Sequence, residues 1–336
     1  MREAMLYEKL PDNKVRCDLC AHHCKIAEGK KGICYVRENQ DGILYTLVYG
    51  RTIARNVDPI EKKPLFHFQP GTTSYSIATP GCNFHCDWCQ NADISQMPRE
   101  RDLVAGIEAS PEEIVAAAKQ SGCRSISYTY TEPTIFFEYT YETAHLAHEA
   151  GLSNVYVSNG YMSSRMLEFF HPLLDAINVD LKAFREETYH KYVGGALQPI
   201  LDNLKALKGY GVFLEVTTLV IPGINDAPEE LHQAVDFIVN ELGVDTPWHI
   251  SRFHPMYRMK QVPSTPLQTL ETAMEIGKEA GLRYVYIGNV PGSAGENTVC
   301  YSCGNLVVER VGYHIRVVGL DGSRCKYCGT ELNFRI

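Results

Sequence analysis

The 336-residue sequence lacks several features that would place it in a familiar class at once. No run of about 18 uninterrupted apolar residues occurs, so we expect no membrane span. The first fourteen residues are charged throughout and contain no apolar stretch of the kind that a secretory signal carries. We therefore expect a cytoplasmic protein.

Long basic segments are also lacking, and the formal net charge is -8. Lysine and arginine occur at most in short runs such as Lys30–Lys31 and Lys62–Lys63. Binding to nucleic acid without sequence preference needs a basic face, so we expect no nucleic-acid partner.

Cysteine, by contrast, is abundant. The chain has twelve, and all but Cys123 fall into three clusters. In a reducing compartment, clustered thiols usually bind metal or carry out chemistry instead of forming disulfides. We expect Cys123 to be a buried core thiol.

The order of apolar patterns predicts an α/β fold. Between residues 72 and 289, short apolar or β-branched segments alternate with helical patterns, as in a parallel sheet with crossover helices. Ser110-Pro111-Glu112-Glu113 is a typical helix start. We predict a partial (βα)6-type TIM-like barrel with strands near 75–78, 125–130, 154–157, 176–180, 213–219, 249–252 and 283–287.

Two smaller metal-binding modules are expected to flank the barrel. We place the N-terminal four-cysteine module at residues 1–70, the barrel at 71–290 and a zinc-ribbon-like module at 291–336. Within the first module, segments 43–49 and 52–57 alternate in polarity and predict a hairpin that turns near Gly50.

The motif with the clearest chemistry is C-x3-C-x2-C, formed by Cys82, Cys86 and Cys89 directly after the first barrel strand. Three thiolates can bind three irons of a [4Fe–4S] cluster and leave the fourth iron open to an exchangeable ligand. Zinc would need a fourth ligand such as His85, which is poorly placed beside Cys86. A ferredoxin site would need a fourth cysteine, and none occurs between residues 91 and 119.

This motif, with Trp88 before its third cysteine, resembles that of the radical S-adenosylmethionine (SAM) superfamily. Within it, the chain is similar to the pyruvate formate-lyase activating enzymes. More narrowly, it is similar to the radical SAM enzyme of the AmmeMemoRadiSam system, through the N-terminal cysteines, the run DPIEKKPL at 58–65 and the Cys82 motif. The resemblance implies a SAM-cleaving oxidoreductase-like enzyme with a [4Fe–4S] cluster and an electron donor of the flavodoxin or ferredoxin type.

The resemblance also implies SAM contacts at the strand ends. Glu132 takes the place of the acid that binds the methionyl ammonium, although it also has the position of a helix cap. Ser158 and Asn159 match polar contacts of the family, while Val157 replaces its usual acid. Asn159 with the glycine that follows it also fits a plain turn.

Four further positions are carried over on the same grounds. Asp180 is expected at the ribose hydroxyls and Lys182 at the SAM carboxylate, although the two also suit a surface ion pair. His254 matches a histidine that borders the SAM site, and Trp88 belongs to the cysteine loop.

The outer cysteine sets predict two more metal sites. Two C-x2-C pairs, Cys300/Cys303 and Cys325/Cys328, indicate structural zinc, with a rubredoxin-type iron as the alternative. For the N-terminal set, zinc and an auxiliary [4Fe–4S] cluster both remain open. That set consists of Cys17, Cys20, Cys24 and Cys34.

Three functional hypotheses are compatible with this sequence. In the first, the enzyme abstracts hydrogen from a substrate, which we expect to be a protein or a peptide-like group. In the second, it installs a glycyl radical on a partner enzyme. In the third, the chain is a non-catalytic zinc and iron–sulfur scaffold, which the convergence of SAM-site residues disfavours.

Overall fold

The computed structural model of the chain describes residues 1–292 and 294–336. Among these residues, the central element is an eight-stranded sheet whose strands follow one another in chain order. Its first strand, Ala54–Pro59, is an antiparallel edge strand. The other neighbours are parallel: Thr73–Ala78, Ser125–Tyr128, Ser153–Ser158, Ala176–Asp180, Phe213–Val220, Trp248–Arg252 and Val285–Gly288. This sheet confirms the predicted α/β fold of partial-barrel type.

A helix crosses between each pair of consecutive parallel strands. In order, these helices are Pro111–Gln120, Phe137–Glu149, Ser164–Phe170, Gln198–Gly209, Pro228–Phe237 and Leu267–Glu279. The first begins as predicted: Ser110 Oγ accepts from Glu113 N, and the Glu113 carboxylate accepts from Ser110 N. All connections therefore leave the carboxyl ends of the parallel strands along one rim.

Shorter helical segments lie in the loops. The α-helical ones are Ala92–Ser95, Met97–Arg101 and Glu186–Thr188. The 3-10 segments are Ile60–Lys62, Pro133–Phe136, His171–Leu173 and Ala294–Glu296, and the π segments are Tyr189–Val193 and Ile238–Leu242.

The predicted hairpin at 43–49 and 52–57 is wrong. Strand Ile43–Thr46 pairs with Arg37–Gln40 and Arg2–Glu3, whereas Ala54–Pro59 joins the barrel sheet. Arg51–Thr52 pairs with Ile107–Glu108. Both segments do have strand periodicity, but periodicity does not specify the partner strand. The first segment forms a hairpin with the strand before it, and the second pairs with the first parallel strand of the barrel.

The N-terminal region packs into the barrel core. Its second sheet consists of Tyr7–Lys9, Val15–Cys17 and Lys25–Ile26. Buried side chains of this region, including Val15 and Val36, belong to the same hydrophobic cluster as barrel residues such as Ile135. Backbone bonds from Ala21 N to Tyr161 O and from Ser163 N to Leu19 O join the two parts.

The C-terminal region has strands Thr298–Val299, Leu306–Val311, His314–Val317, Leu320–Asp321 and Arg324–Cys325. A chain of buried polar contacts links it to the barrel, running from Arg310 through Thr298, Tyr286 and His67 to the carbonyl of Asn333. That carbonyl can only accept, so His67 Nδ1 carries the proton and Nε2 accepts from the Tyr286 hydroxyl. Burial lowers the pKa of His67 to about 3, which favours this neutral form.

Within the described residues, no helix combines the length and the apolar character needed to cross a membrane.

Candidate functional site

The Cys82–Cys89 loop follows the first parallel strand and is held by the segment around residue 193. His85 N donates to Val193 O at 3.0 Å, and Asp87 N donates to Tyr192 O at 3.1 Å. These bonds occupy backbone donors that would otherwise be orphaned in a partly buried loop. The loop is therefore a defined structure and not a flexible connection.

Two glycines allow this close approach. A Cβ built on Gly194 would lie 1.9 Å from His85 Cε1, and one built on Gly195 would lie 2.4 Å from Phe84 Cε1. Gly194 also has φ +87, a conformation that favours glycine. Any side chain at either position would press on the cysteine loop.

The three loop thiols suit a cluster better than a single ion. All three line one cavity of about 500 Å³. Among the described residues, however, the sulfur atoms of these three cysteines do not all lie within 4.8 Å of one another. A zinc ion would require such closeness, with or without His85, whereas a cubane places each thiolate on a different iron. Phe84 N donates to Cys82 Sγ at 3.3 Å, as suits a thiolate ligand.

The carboxyl ends of the parallel strands supply much of the rest of this cavity. It is lined by nine of the ten residues expected to bind the cluster or SAM, namely Cys82, Cys86, Trp88, Cys89, Glu132, Ser158, Asn159, Asp180 and Lys182. The tertiary structure therefore brings together residues from four separate strand ends. The cavity has the size that a nucleoside-containing ligand requires, and its lining combines apolar with polar and charged side chains.

His254 is the exception. Its side chain is exposed, its Nδ1 lies 3.1 Å from Ser264 Oγ, and it does not line the cavity. Ser251 and Asn289, from neighbouring strand ends, line the cavity on that side.

Glu132 holds two strand ends together. Its Oε1 accepts from Thr134 N, Thr134 Oγ1 and Ser158 Oγ, and its Oε2 accepts from Asn159 N at 2.8 Å. Glu132 is thus the cap of the segment Pro133–Phe136 as well as a lining residue. Burial raises the pKa of this carboxyl in spite of the four donors.

Asp180 and Lys182 form an ion pair inside the cavity. Lys182 Nζ lies 3.0 Å from Asp180 Oδ2, and only 15% of the lysine side chain is exposed. Burial disfavours the lysine charge, but the charges of Asp180 and of Cys86 outweigh it and raise the Lys182 pKa. Lys182 is therefore a fixed positive charge beside the cysteine loop.

Two lysines that the sequence did not predict lie in one corner of the same cavity. Lys62 Nζ and Lys63 Nζ contact the two oxygens of Asp58 at 2.9 and 2.7 Å, and the Tyr130 hydroxyl donates to the same carboxylate. Both lysines and Tyr130 line the cavity. Burial lowers the pKa of Lys63 to about 8 although Asp58 opposes this. Asp58, Lys62 and Lys63 belong to the run DPIEKKPL. That run reaches the cavity because the strand Ala54–Pro59 pairs with the edge of the barrel sheet, which the sequence did not predict.

The C-terminal cysteines form a compact group. Their four sulfur atoms lie within 4.8 Å of one another, with 3.7 Å between Cys300 and Cys328 and 3.7 Å between Cys303 and Cys325. At a Zn–S distance of about 2.3 Å, tetrahedral geometry separates the sulfurs by about 3.8 Å. The group can therefore hold one tetrahedral metal ion.

The predicted N-terminal set converges as well, around a different space. Cys17, Cys20, Cys24 and Cys34 all line one small cavity beside the barrel. Cys123 is buried at the end of the first crossover and belongs to the hydrophobic core, as predicted.

Comparison with known proteins agrees with this arrangement. Residues 76–238 match the model of the radical SAM superfamily. An uncharacterised protein of Methanocaldococcus jannaschii is 48% identical over 99% of both chains. The benzylsuccinate synthase activating enzyme of Thauera aromatica is 24% identical over 77% of this chain and 82% of its own.

One further sequence and one solved structure extend the comparison. The pyruvate formate-lyase-activating enzyme of Clostridium pasteurianum is 22% identical over 49% of this chain and 69% of its own. The structure of a radical SAM methyltransferase from Sphaerobacter thermophilus covers 68% of this chain and 71% of its own, with a TM-score of 0.50 and 13% identity. That likeness shows the barrel fold alone. On the cysteine loop, the strand-end cavity and these sequence matches, the chain belongs to the radical SAM superfamily and is an enzyme of that group.

Proposed function

We propose that the chain cleaves SAM reductively at the Cys82 loop and uses the resulting radical to abstract hydrogen from a protein or peptide-like substrate. The observation that carries this proposal is the single cavity that joins the three loop thiols to polar side chains from several strand ends. When bound there, the cluster supplies one electron to the SAM sulfonium, whose C5′–S bond breaks to give methionine and the 5′-deoxyadenosyl radical. A small electron-transfer protein of the flavodoxin or ferredoxin type is the expected donor.

The side chains of the cavity have complementary tasks. Lys182 offers a positive charge to the SAM carboxylate, and the exposed oxygen of Asp180 accepts from the ribose hydroxyls. Glu132 keeps Ser158 and Asn159 in place and offers negative charge to the methionyl ammonium. Trp88 is buried in the loop and shields the cluster side of the cavity from water.

The opposite wall is the side for the substrate. It holds Lys62, Lys63 and Tyr130, and Tyr313 reaches it from the tip of a C-terminal hairpin. The C-terminal region therefore borders the cavity through Tyr313, opposite the cysteine loop, which suits docking of a polypeptide. The relatives named as activating enzymes support this choice of substrate class.

A glycyl-radical activase is the second candidate. It is favoured by the relatives named as activating enzymes of benzylsuccinate synthase and pyruvate formate-lyase. A glycyl-radical EPR signal on a partner protein would distinguish it from other hydrogen-abstracting enzymes.

Substitution of the loop tests the chemistry. Cys82, Cys86 and Cys89 are replaced together by Ala, and the variant is assayed anaerobically with SAM and dithionite. We expect 5′-deoxyadenosine formation to fall to background, because no thiolate then holds the open-site cluster. Cys123→Ala, a buried cysteine outside the clusters, is the matched control and should retain turnover. SAM cleavage by the triple variant would contradict the proposal.

Deuterium transfer tests the substrate class. The enzyme is incubated with SAM, reductant and a deuterated cell extract separated by size. We expect deuterium in 5′-deoxyadenosine with the high-mass fraction. Transfer from the low-mass fraction alone would refute a protein substrate while leaving SAM cleavage intact.

A further inference from the structure

Two lysines and one carboxylate form a charged group at one side of the SAM cavity. Lys62 Nζ lies 2.9 Å from Asp58 Oδ1, and Lys63 Nζ lies 2.7 Å from Asp58 Oδ2. These three charges leave one positive charge in excess. The Tyr130 ring lies against both ammonium groups, with its centroid 5.8 Å from Lys62 Nζ and 4.7 Å from Lys63 Nζ. We refer to Asp58, Lys62, Lys63 and Tyr130 as the lysine corner.

The ammonium groups of the lysine corner have hydrogen-bond donors to spare. Each ammonium carries three N–H groups. Among the described residues, the Asp58 carboxylate is the one hydrogen-bond acceptor that contacts either lysine. The Lys63 side chain is 1% exposed, so water can satisfy little of what remains. An anionic oxygen group that enters the cavity supplies the missing acceptors and balances the excess charge.

Tyr130 has a strained backbone at this place. Its φ is +63, a left-handed conformation that a bulky residue rarely adopts. Its carbonyl accepts from Asn91 Nδ2 at 2.7 Å, while its hydroxyl accepts from Asn56 Nδ2 at 3.1 Å and donates to Asp58. Asn91 follows Cys89 by two positions, so Tyr130 joins the lysine corner to the cysteine loop. Strain that its surroundings maintain in this way is typical of ligand-binding sites.

The lysine corner lies apart from the residues that we propose for the SAM carboxylate and ribose. It comes from the edge strand Ala54–Pro59 and the segment after it, four strands away in the sheet from Ala176–Asp180. The cavity also reaches Asn178, which lies two residues before Asp180 and so points to the same face one step deeper. Asn178 Nδ2 donates to the carbonyl of Pro64, the residue after Lys63. The cavity therefore extends past the strand ends toward the lysine corner.

From these observations we propose that Lys62 and Lys63 bind an anionic group, a carboxylate or a phosphate, of the polypeptide substrate. An acidic side chain held there fixes the neighbouring part of the substrate in the cavity and selects the hydrogen that the radical removes. The polypeptide nature of the substrate rests on the proposed function, whereas the anion site rests on the lysine corner itself.

Substitution of Lys62 tests the proposal without breaking the buried ion pair. Lys62 is 42% exposed, and Lys62→Gln removes the excess charge while Lys63 and Asp58 stay paired. The measured quantity is the fraction of 5′-deoxyadenosine that carries deuterium, as the amount of high-mass deuterated extract is varied. Lys62→Gln should need about three- to tenfold more extract for half-maximal labelling, and Lys62→Arg should be close to the wild type.

Lys278→Gln, at an exposed lysine outside the cavity, is the matched control and should label as the wild type does. Equal extract requirements for Lys62→Gln and the wild type would overturn the proposal. A loss of SAM affinity in Lys62→Gln at an unchanged extract requirement would also overturn it, because the lysine corner would then belong to SAM. If only low-mass extract labels the product, the polypeptide substrate is refuted, and the same comparison with that fraction still tests the lysine corner.

Treatment of the extract identifies the anionic group. Carbodiimide with glycinamide converts carboxylates to neutral amides, whereas phosphatase removes phosphates. One of these treatments should lower labelling by the wild type but not the residual labelling by Lys62→Gln, because the variant no longer distinguishes the charged group from the neutral one. Wild-type labelling that survives both treatments contradicts the anion site.

Peptide binding gives a readout that needs no SAM cleavage. Fluorescein-labelled tetraglutamate and a tetrapeptide with one phosphoserine are compared by anisotropy with tetraglutamine and the matching serine peptide, on the reconstituted protein. The wild type should bind at least one acidic peptide more tightly than its neutral counterpart, and Lys62→Gln should lose this preference. A wild type without any preference overturns the proposal whether or not SAM is cleaved, so the two failures are distinguishable.

Discussion

At the scale of single residues, the cavity contains charged side chains whose burial carries a desolvation penalty. Lys182 has little exposure and keeps its charge because Asp180 lies 3.0 Å away. A fixed charge of this kind strengthens the binding of a ligand of opposite sign in the same low-dielectric space. The SAM carboxylate fits this requirement.

We therefore predict that Lys182→Ala weakens SAM binding by about 1–3 kcal/mol, the range for a lost charge-assisted hydrogen bond. Anaerobic calorimetry with the reconstituted protein measures the change. Lys278→Ala, at an exposed lysine on the helix Leu267–Glu279, should bind SAM as the wild type does. Equal affinity of both variants would exclude Lys182 from the SAM site.

At the scale of elements, the cysteine loop is shaped by its contact with the Gly194–Gly195 turn. Phe84 is fully buried, so its ring cannot move away from a new methyl group at residue 195. Overpacking of this kind typically costs about 1–3 kcal/mol. The strain would fall on the loop that carries Cys86.

Gly195→Ala should accordingly lower both the iron bound at the loop and the urea midpoint of unfolding. Gly209→Ala is the matched control, because nothing lies within 4 Å of a Cβ at that position. Iron content and urea denaturation are measured for both variants side by side. Wild-type values for Gly195→Ala would show that the turn does not constrain the loop.

At the scale of the whole molecule, a buried neutral histidine links the C-terminal region to the barrel. Burial lowers the pKa of His67 to about 3, although the nearby Glu215 charge opposes this. In the unfolded chain the ordinary pKa is about 6.5. Between these two values the unfolded state binds a proton that the folded state does not, so stability falls as the pH drops.

We predict that His67→Asn reduces the loss of unfolding free energy between pH 7 and pH 5. One proton is worth up to about 1.4 kcal/mol per pH unit. His232→Asn changes an exposed histidine and should keep the wild-type pH dependence. Urea titrations at each pH give the slopes, and an unchanged slope for His67→Asn would count against the assignment.

The sequence by itself determined the features that rest on local pattern. Strand and helix periodicity located the parallel strands, Ser110 and Glu113 marked the start of a helix, and the spacing of Cys82, Cys86 and Cys89 indicated the cluster loop. These features involve residues a few positions apart, whose relative placement follows from backbone geometry.

Only the tertiary structure decided which distant segments meet. Strand Ala54–Pro59 pairs with the edge of the barrel sheet and not with the hairpin partner that we predicted, and this pairing places Lys62 and Lys63 at the cavity. Glu132 caps a 3-10 segment and also accepts a hydrogen bond from the neighbouring strand end. His254 lies outside the cavity. Such outcomes depend on non-local burial and pairing, which spacing along the chain does not encode.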